Sequence, residues 1–508
     1  MTAAGSQRPQ LFQVALLAVL IGITFQGALR LPGVREAPLG CDDFGYHRQA
    51  ALFRENGLRG FDTGLETPNS RRLIEIAKAT GEKTSHWYQA VAPHCHHYRA
   101  DVDKVILQYP PGTGMLMAPL PEDVERRWLR YGCLFAVAAA FAYLLARTTR
   151  PADGLVVLGG AGLVLAASQV GTDSAYAGIA LSVVCALLLA PALGTAGTLA
   201  PALLGLAAGF SSTIRVTNLL IVAIVGLVFL VRLVRSRSRS DGASLMAYSA
   251  GSMAGLAPAI WANFVNAGSI FRTTYSAVDA TKPEFDLDDI LRGIAFYFGD
   301  NSNGLALTLS LVIGIATLLA HPRSVAMSVA AWVMALSLAY LVPKDVLVPY
   351  YLLSAAAFLT TVSVAVLIGL PEPTKPARGW TAWAFPAAVA VAAVVGLMAI
   401  AFPSQRLAID PAVKQRFADD PIVWGDVYGS AVVARYGAYS AKIMFTSPEI
   451  QDALVSGLDD AGIEQFFLVD TDSMAAVVDR VRTRWLLTPA GDVFGRPLYR
   501  LSGRLAAG

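Results

Sequence analysis

Charge is scarce in this chain. Asp, Glu, Lys and Arg make up 15% of its 508 residues, against about 25% in a soluble globular protein. Scarcity on that scale excludes a disordered or mainly water-exposed protein. Neither sign dominates (40 Lys and Arg against 37 Asp and Glu), so the basic surplus of a nucleic-acid binder is missing. Cysteine is nearly absent. Four residues cannot staple a scaffold of this length, and without a CxxC pair the usual zinc signatures are missing too. No internal repeat is obvious, which weighs against transporter folds built on inverted repeats. What the sequence does hold is hydrophobicity: 55% of its residues are apolar and its mean hydropathy is +0.51. The composition implies a polytopic α-helical membrane protein.

A helix needs about 20 mostly apolar residues to cross about 30 Å of hydrocarbon. Eleven such runs are found, near 11–29, 130–147, 154–169, 174–192, 198–212, 216–234, 244–264, 303–320, 325–342, 348–370 and 381–402. The first follows Arg8 as a signal peptide would, but Ala28-Leu29-Arg30 is a poor cleavage context, so the run reads as an anchor. With the N-terminus inside, the cytoplasmic loops hold Arg8, Arg147, Arg150, Arg232, Arg235, Arg237, Arg239, Arg323, Lys375 and Arg378. The short outer loops then hold Arg215, Arg272, Lys282, Arg292 and Lys344. That bias orients the chain N-in, and eleven spans place the C-terminus outside.

Three regions then project outward: a long first loop (30–129), a loop around 265–302, and the tail (403–508). The tail reads as a small α/β domain, separate from a transmembrane domain of residues 1–402 that includes the first loop. Its expected strands are Pro421–Trp424, Lys442–Phe445, Gln465–Val469, Arg484–Leu487 and Pro497–Leu501, and its helices 448–463 and 472–483.

Chemistry-bearing residues gather on the outer side. Leu39-Gly-Cys-Asp-Asp-Phe-Gly-Tyr-His47 follows the first span. Either Asp42 or Asp43 can take a proton from an acceptor hydroxyl, or simply cap the helix expected over 44–56. Gln108-Tyr-Pro-Pro-Gly112 makes a rigid turn that could dock on the bilayer interface. Asp173 fills the small second outer loop, again a residue type that caps helices. Arg215 and Lys344 stand alone at the outer ends of later spans, where a basic residue either snorkels or serves a site. His94-Cys-His-His97 packs three of the six histidines into four residues. Adjacent ligands rarely converge on one ion, so a solvated loop is the expectation over a metal tract.

This order of elements resembles the GT-C superfamily of membrane glycosyltransferases, which use polyprenyl-phosphate sugars and include protein O-mannosyltransferases and lipid A aminoarabinose transferases. The likeness lies in Asp42-Asp43, Gln108-Tyr-Pro-Pro-Gly112, Thr172-Asp173-Ser174, Ile214-Arg-Val-Thr-Asn218, Asn263 with Gly268-Ser269, and Pro343-Lys344 with Pro349-Tyr350-Tyr351. It spans residues 11–402, through motifs of two to six residues. The pair is Asp-Asp where O-mannosyltransferases usually carry Asp-Glu. The second loop lacks the Asp-x-Asp of metal-dependent oligosaccharyltransferases, so neither a catalytic metal nor another cofactor is expected.

The resemblance implies an inverting transfer at the outer face of the cell membrane. The donor is a polyprenyl-phosphate sugar and the acceptor a hydroxyl of an envelope glycan, lipid or protein. Asp42 would be the base, with Asp43 and Asp173 assisting, Arg215 and Lys344 holding the donor phosphate, and Tyr46, Tyr109 and Tyr350 lining the substrate cavity. Cys41 and Cys95 lie on the oxidising side. A bridge between them would close a loop of about 55 residues and contribute roughly 4 kcal/mol. Two other classes compete: a lipid-linked sugar flippase, which would place its polar positions near the bilayer midplane, and a non-catalytic envelope-assembly protein.

Overall fold

The computed structural model describes residues 7–29, 41–81, 91–121, 125–148, 150–168, 172–194, 197–274, 285–300, 303–344, 347–369 and 411–505. The run at 381–402, expected as the last span, lies outside the described residues. The chain divides into two compact units. One holds residues 1–37, 123–260 and 278–395; the other holds 38–122, 261–277 and 396–508.

The first unit is helical. Helices cover Gln7–Leu29, Glu125–Ala146, Pro151–Ala167, Asp173–Gly194, Leu199–Ile214, Leu219–Ser236, Gly304–Ala320, Val325–Leu341 and Leu353–Leu367, with most of Arg239–Ala267. By length and composition, Glu125–Ala146, Asp173–Gly194 and Val216–Ser236 can each cross a membrane. The bent pair Leu287–Gly299 and Gly304–Ala320 adds one more if it counts as a single span. Burial differs between these helices. Asp173–Gly194 is covered nearly all round, which fits its almost uninterrupted apolar sequence.

Two glycine pairs let the backbones of Leu199–Ile214 and Arg239–Ala267 touch. A Cβ at Gly205 would lie 2.2 Å from the Tyr248 carbonyl oxygen, and one at Gly209 2.3 Å from that of Ser252. The reciprocal positions, Gly251 and Gly255, would strike the carbonyl oxygens of Ala202 and Leu206 at 2.1 and 2.4 Å. Both pairs have the four-residue spacing that aligns small residues on one helix face, the usual route to close helix contact in lipid.

The second unit carries a five-stranded sheet in the order β4-β3-β5-β7-β6. The small hairpin β1 (His96–Arg99) and β2 (Lys104–Leu107) precedes it in the chain. The sheet's strands are β3 (Ile422–Trp424), β4 (Tyr439–Ala441), β5 (Gln465–Leu468), β6 (Trp485–Val493) and β7 (Arg496–Arg504). β3 runs parallel to both β4 and β5, whereas β7 is antiparallel to β5 and β6. The tight β6–β7 turn uses Phe494 and Gly495, both at positive φ (55° and 70°), as the strand twist requires of a two-residue hairpin. β4 lies three residues before the expected Lys442–Phe445, which is instead mostly a single 3-10 turn, Ile443–Phe445.

The first loop and the tail share one core in this unit, although sequence assigned them to different domains. Leu73, Ala77, Val91 and Val105 are buried with Trp424, Leu454, Phe467 and Val477. Asn69 Nδ2 donates to the Asp420 carbonyl at 2.7 Å, and Tyr439 Oη donates to that of Val91. Cys95 is disulfide-bonded, whereas Cys133 and Cys185 are free. The Cys41 side chain is outside the described residues.

Candidate functional site

In the first unit, charge concentrates around Asp173. Its side chain is completely buried, and both carboxylate oxygens are taken: Oδ2 by Arg126 Nε at 2.8 Å and Oδ1 by Arg130 Nε at 2.7 Å. Arg126 and Arg130 sit four residues apart, on one face of Glu125–Ala146. The Arg130 guanidinium also lies over the Tyr176 ring, 5.1 Å from its centroid. With no exposure and two guanidinium partners, the Asp173 carboxylate ties its helix to Glu125–Ala146. Arg126 escapes a reading of the sequence, because a span counted from 130 leaves the first turn of Glu125–Ala146 in the loop.

Arg215 is placed differently. It breaks the run between Leu199–Ile214 and the turn Val216–Asn218, with extended backbone at φ −139° and ψ 119°. Only 8% of the residue is exposed. Its Nη2 donates to Ser174 Oγ at 3.1 Å, and Thr172 Oγ1 lies 3.0 Å from that hydroxyl. The rings of Tyr350 and Tyr351 face the guanidinium at 4.7 and 5.2 Å. Gly178 makes room: a Cβ there would stand 3.4 Å from Arg215 Cδ and 2.7 Å from Ser354 Oγ. Arg215 Nε finds no acceptor among the described residues. Lys344, also buried, sets its Nζ 4.0 Å from the Tyr340 ring centroid. Of the two cations, it is Arg215 that Tyr350 stands beside.

The second unit holds the acid pair in the first turn of the helix Cys41–Asn56. Asp43 is buried, while Asp42 is partly open. The helix lies against the Pro-Pro-Gly turn. A Cβ on Gly45 would fall 2.3 Å from Tyr109 Cδ2, and Gln49 Nε2 donates to the Tyr109 carbonyl at 2.8 Å. Arg54 donates to the carbonyls of Met117, Ala118 and Leu120, each at 3.1 Å, closing the end of the short helix Gly112–Met117. The turn is thereby buried, not docked on a bilayer. Tyr46 and Tyr109 are likewise buried against each other, ring centroids 5.1 Å apart, so they pack as core rather than line an open cavity. An open polar cavity of about 300 Å³ does lie in this unit, lined by Arg48, Asp62, Glu66, Thr67 and Tyr439.

The histidine tract is interior, which overturns the solvated loop. His96 and His97 start β1 and are buried, and Nδ1 of His96 faces the His94 carbonyl at 3.0 Å. Among the described residues, no three His, Cys, Asp or Glu side chains gather as a metal site. Burial pushes His94 and His97 down to about 4 and His96 to about 3. Lys442 adds to the effect at all three, Arg48 at His96 and Arg99 at His97, while Asp426 opposes it at His94 and Asp101 at His97.

Below about pH 6.5 the unfolded chain therefore binds protons that the folded unit refuses. This contribution to stability is complete above pH 6.5 and is lost as pH falls toward 4. The melting temperature should drop steadily from pH 7 to pH 5, and less steeply when His96 and His97 are both replaced by Phe. A melting temperature that stays level over that range would contradict this.

No family model matches the chain, and no curated protein matches it. Solved structures do. ArnT from Cupriavidus metallidurans in the apo state is similar at a TM-score of 0.47 and 11% identity, covering 88% of this chain and 97% of that one. The same protein bound to undecaprenyl phosphate is similar at 0.45 and 12%, covering 96% and 97%.

Proposed function

We propose that the chain is an inverting glycosyltransferase. It moves a sugar from a polyprenyl-phosphate donor to a hydroxyl of an envelope glycan, lipid or protein at the outer face of the cell membrane, with the N-terminus inside and the tail outside. The observation that carries this reading is Arg215. A buried guanidinium is costly unless its charge is compensated, and among the described residues the guanidinium of Arg215 meets a hydroxyl and two tyrosine rings. A phosphate supplies the missing charge and accepts the N–H groups bidentately. The seat lies among apolar helices, the setting a prenyl chain needs.

Asp42 takes the acceptor's proton, and the acceptor oxygen attacks the anomeric carbon. The sugar–phosphate bond breaks with its electron pair leaving on phosphate. Arg215 and Lys344 hold that phosphate, whose charge grows as the bond breaks, so fixed cations favour the transition state. A phosphate leaves without a protein acid, and the reading requires no metal. The polar cavity beside Arg48 and Glu66 offers partners for acceptor hydroxyls.

Membranes carrying the protein, given labelled polyprenyl-phosphate sugars, should transfer label to an envelope fraction. Absence of transfer with every donor, or movement of intact donor across the bilayer, overturns the reading in favour of a flippase or an assembly factor. Arg215→Ala should raise the donor KM about 10–100-fold, the worth of hydrogen bonds to a charged group, while the melting temperature stays within a few degrees. Arg215→Lys should recover only part, because a point charge lacks the planar fork. An unchanged donor KM would remove Arg215 from the donor site.

A further inference from the structure

We infer that Tyr428, in the tail, is a positioning residue for the acid pair. The inference rests on the catalytic reading of Asp42 and Asp43. It gives the tail a role of its own, which is to fix the first turn of the helix that carries them.

That turn is held through the fourth and fifth positions of the helix, Phe44 and Gly45. Phe44, adjacent to Asp43, is buried and meets two rings edge-on: His94 at 6.5 Å and 85°, and Tyr428 at 6.0 Å and 68°. Gly45 lies flush on the Tyr109 ring, so the helix cannot rotate toward that side without a clash. Tyr428 therefore gives Phe44 a ring contact from the tail, at the start of the helix Gly429–Tyr436 that packs on Cys41–Asn56, and through Phe44 it bears on the direction of the two carboxylates before it.

Tyr428 is itself well fixed. It ends the loop after β3, and Asp470, beyond the end of β5, pins that loop by accepting from the backbone N–H groups of Asp426 at 3.1 Å and Tyr428 at 2.8 Å. The ring also stacks on Phe494, 5.9 Å between centroids and 27° between planes. The Arg496 guanidinium is 5.6 Å from its centroid. A Cβ on Gly429 would lie 2.5 Å from Ser440 Oγ and 3.7 Å from the His94 backbone nitrogen, so the chain there admits no side chain larger than hydrogen without displacement. Carboxyl ends of parallel strands are where open α/β sheets ordinarily receive a ligand. Here the loop after β3 receives Phe44 instead. The sheet acts as a clamp on the first loop.

Reactions that depend on alignment lose about 10²-fold for a displacement near 1 Å. Tyr428→Ala should thus lower kcat about 10–100-fold, with the donor KM within about twofold of wild type. Tyr428→Phe keeps the ring and should recover kcat to within about threefold. Hydrogen exchange supplies a readout that needs no activity: amides 42–47 should exchange faster in Tyr428→Ala and not in Tyr428→Phe, with those of 173–194 unchanged in both. Phe44→Leu keeps an apolar group but loses the edge-on contact, and it should show the same kcat loss and faster exchange in milder form. If wild-type protein transfers no sugar, the enzyme reading fails while the exchange arm still decides the clamp. Unchanged exchange at 42–47 in both Tyr428→Ala and Phe44→Leu overturns the inference, as does a Tyr428→Phe variant as impaired as Tyr428→Ala.

Discussion

Asp42→Asn is expected to lower the transfer rate by about 10²–10⁴-fold, the usual contribution of a positioned general base. The substitution keeps the shape of the side chain and removes its basicity, so the protein should fold and bind donor as before. Asp42 is the more open of two adjacent carboxylates, and Asp43 is buried beside it. A base must reach an incoming hydroxyl, and only the more open member of the pair does so without first being uncovered. Asp43→Asn should cost less in rate and more in stability. Single-turnover rates with a labelled donor, read beside melting temperatures, separate the two effects. Full activity in Asp42→Asn with loss in Asp43→Asn would reverse the assignment. Full activity in both would take the pair out of the mechanism.

Most helices of the first unit were legible as apolar runs, although among the described residues only three, or four with the bent pair, are long and apolar enough to cross a membrane, and Leu287–Ala295 lies where a loop was expected. Their contacts were less so. Gly205, Gly209, Gly251 and Gly255 are visible in the sequence as two four-residue pairs, yet nothing local says which helix each pair meets. The tail's β5, β6, β7 and two longer helices followed from alternation and periodicity. β4 did not, since Ile443–Phe445 is the more apolar of two neighbouring three-residue stretches and only the pairing with β3 selects Tyr439–Ala441. The union of first loop and tail was hidden altogether, because it depends on pairs such as Asn69 with Asp420 that stand 351 residues apart. At the candidate site, residue type suggested Asp42, Arg215 and Lys344. Burial, which type does not disclose, is what places Asp173, Tyr46 and Tyr109, candidates for a site and its cavity, in the interior.

Asp173 shows most sharply how burial changes a prediction. Asp173→Asn should lose roughly 3–5 kcal/mol of stability, the cost of removing one charged member of a buried ion cluster. Both oxygens of the carboxylate are engaged, and Arg126 and Arg130 have side-chain exposures of 10% and 4%. An amide keeps one acceptor and replaces the other with a donor aimed at a guanidinium, so one hydrogen bond is lost and all the negative charge with it. A catalytic carboxylate would behave in the opposite way, losing rate while the melting temperature held. The two roles also differ in how they are rescued. Asp173→Leu combined with Arg126→Met and Arg130→Met removes the charges together, and replacing a buried ion cluster by apolar residues of similar volume is often neutral or better. That triple variant should regain much of the stability lost by Asp173→Asn and, if the cluster only ties helices together, retain transfer activity. A triple variant that is stable but inactive would return Asp173, or one of its two arginines, to the chemistry.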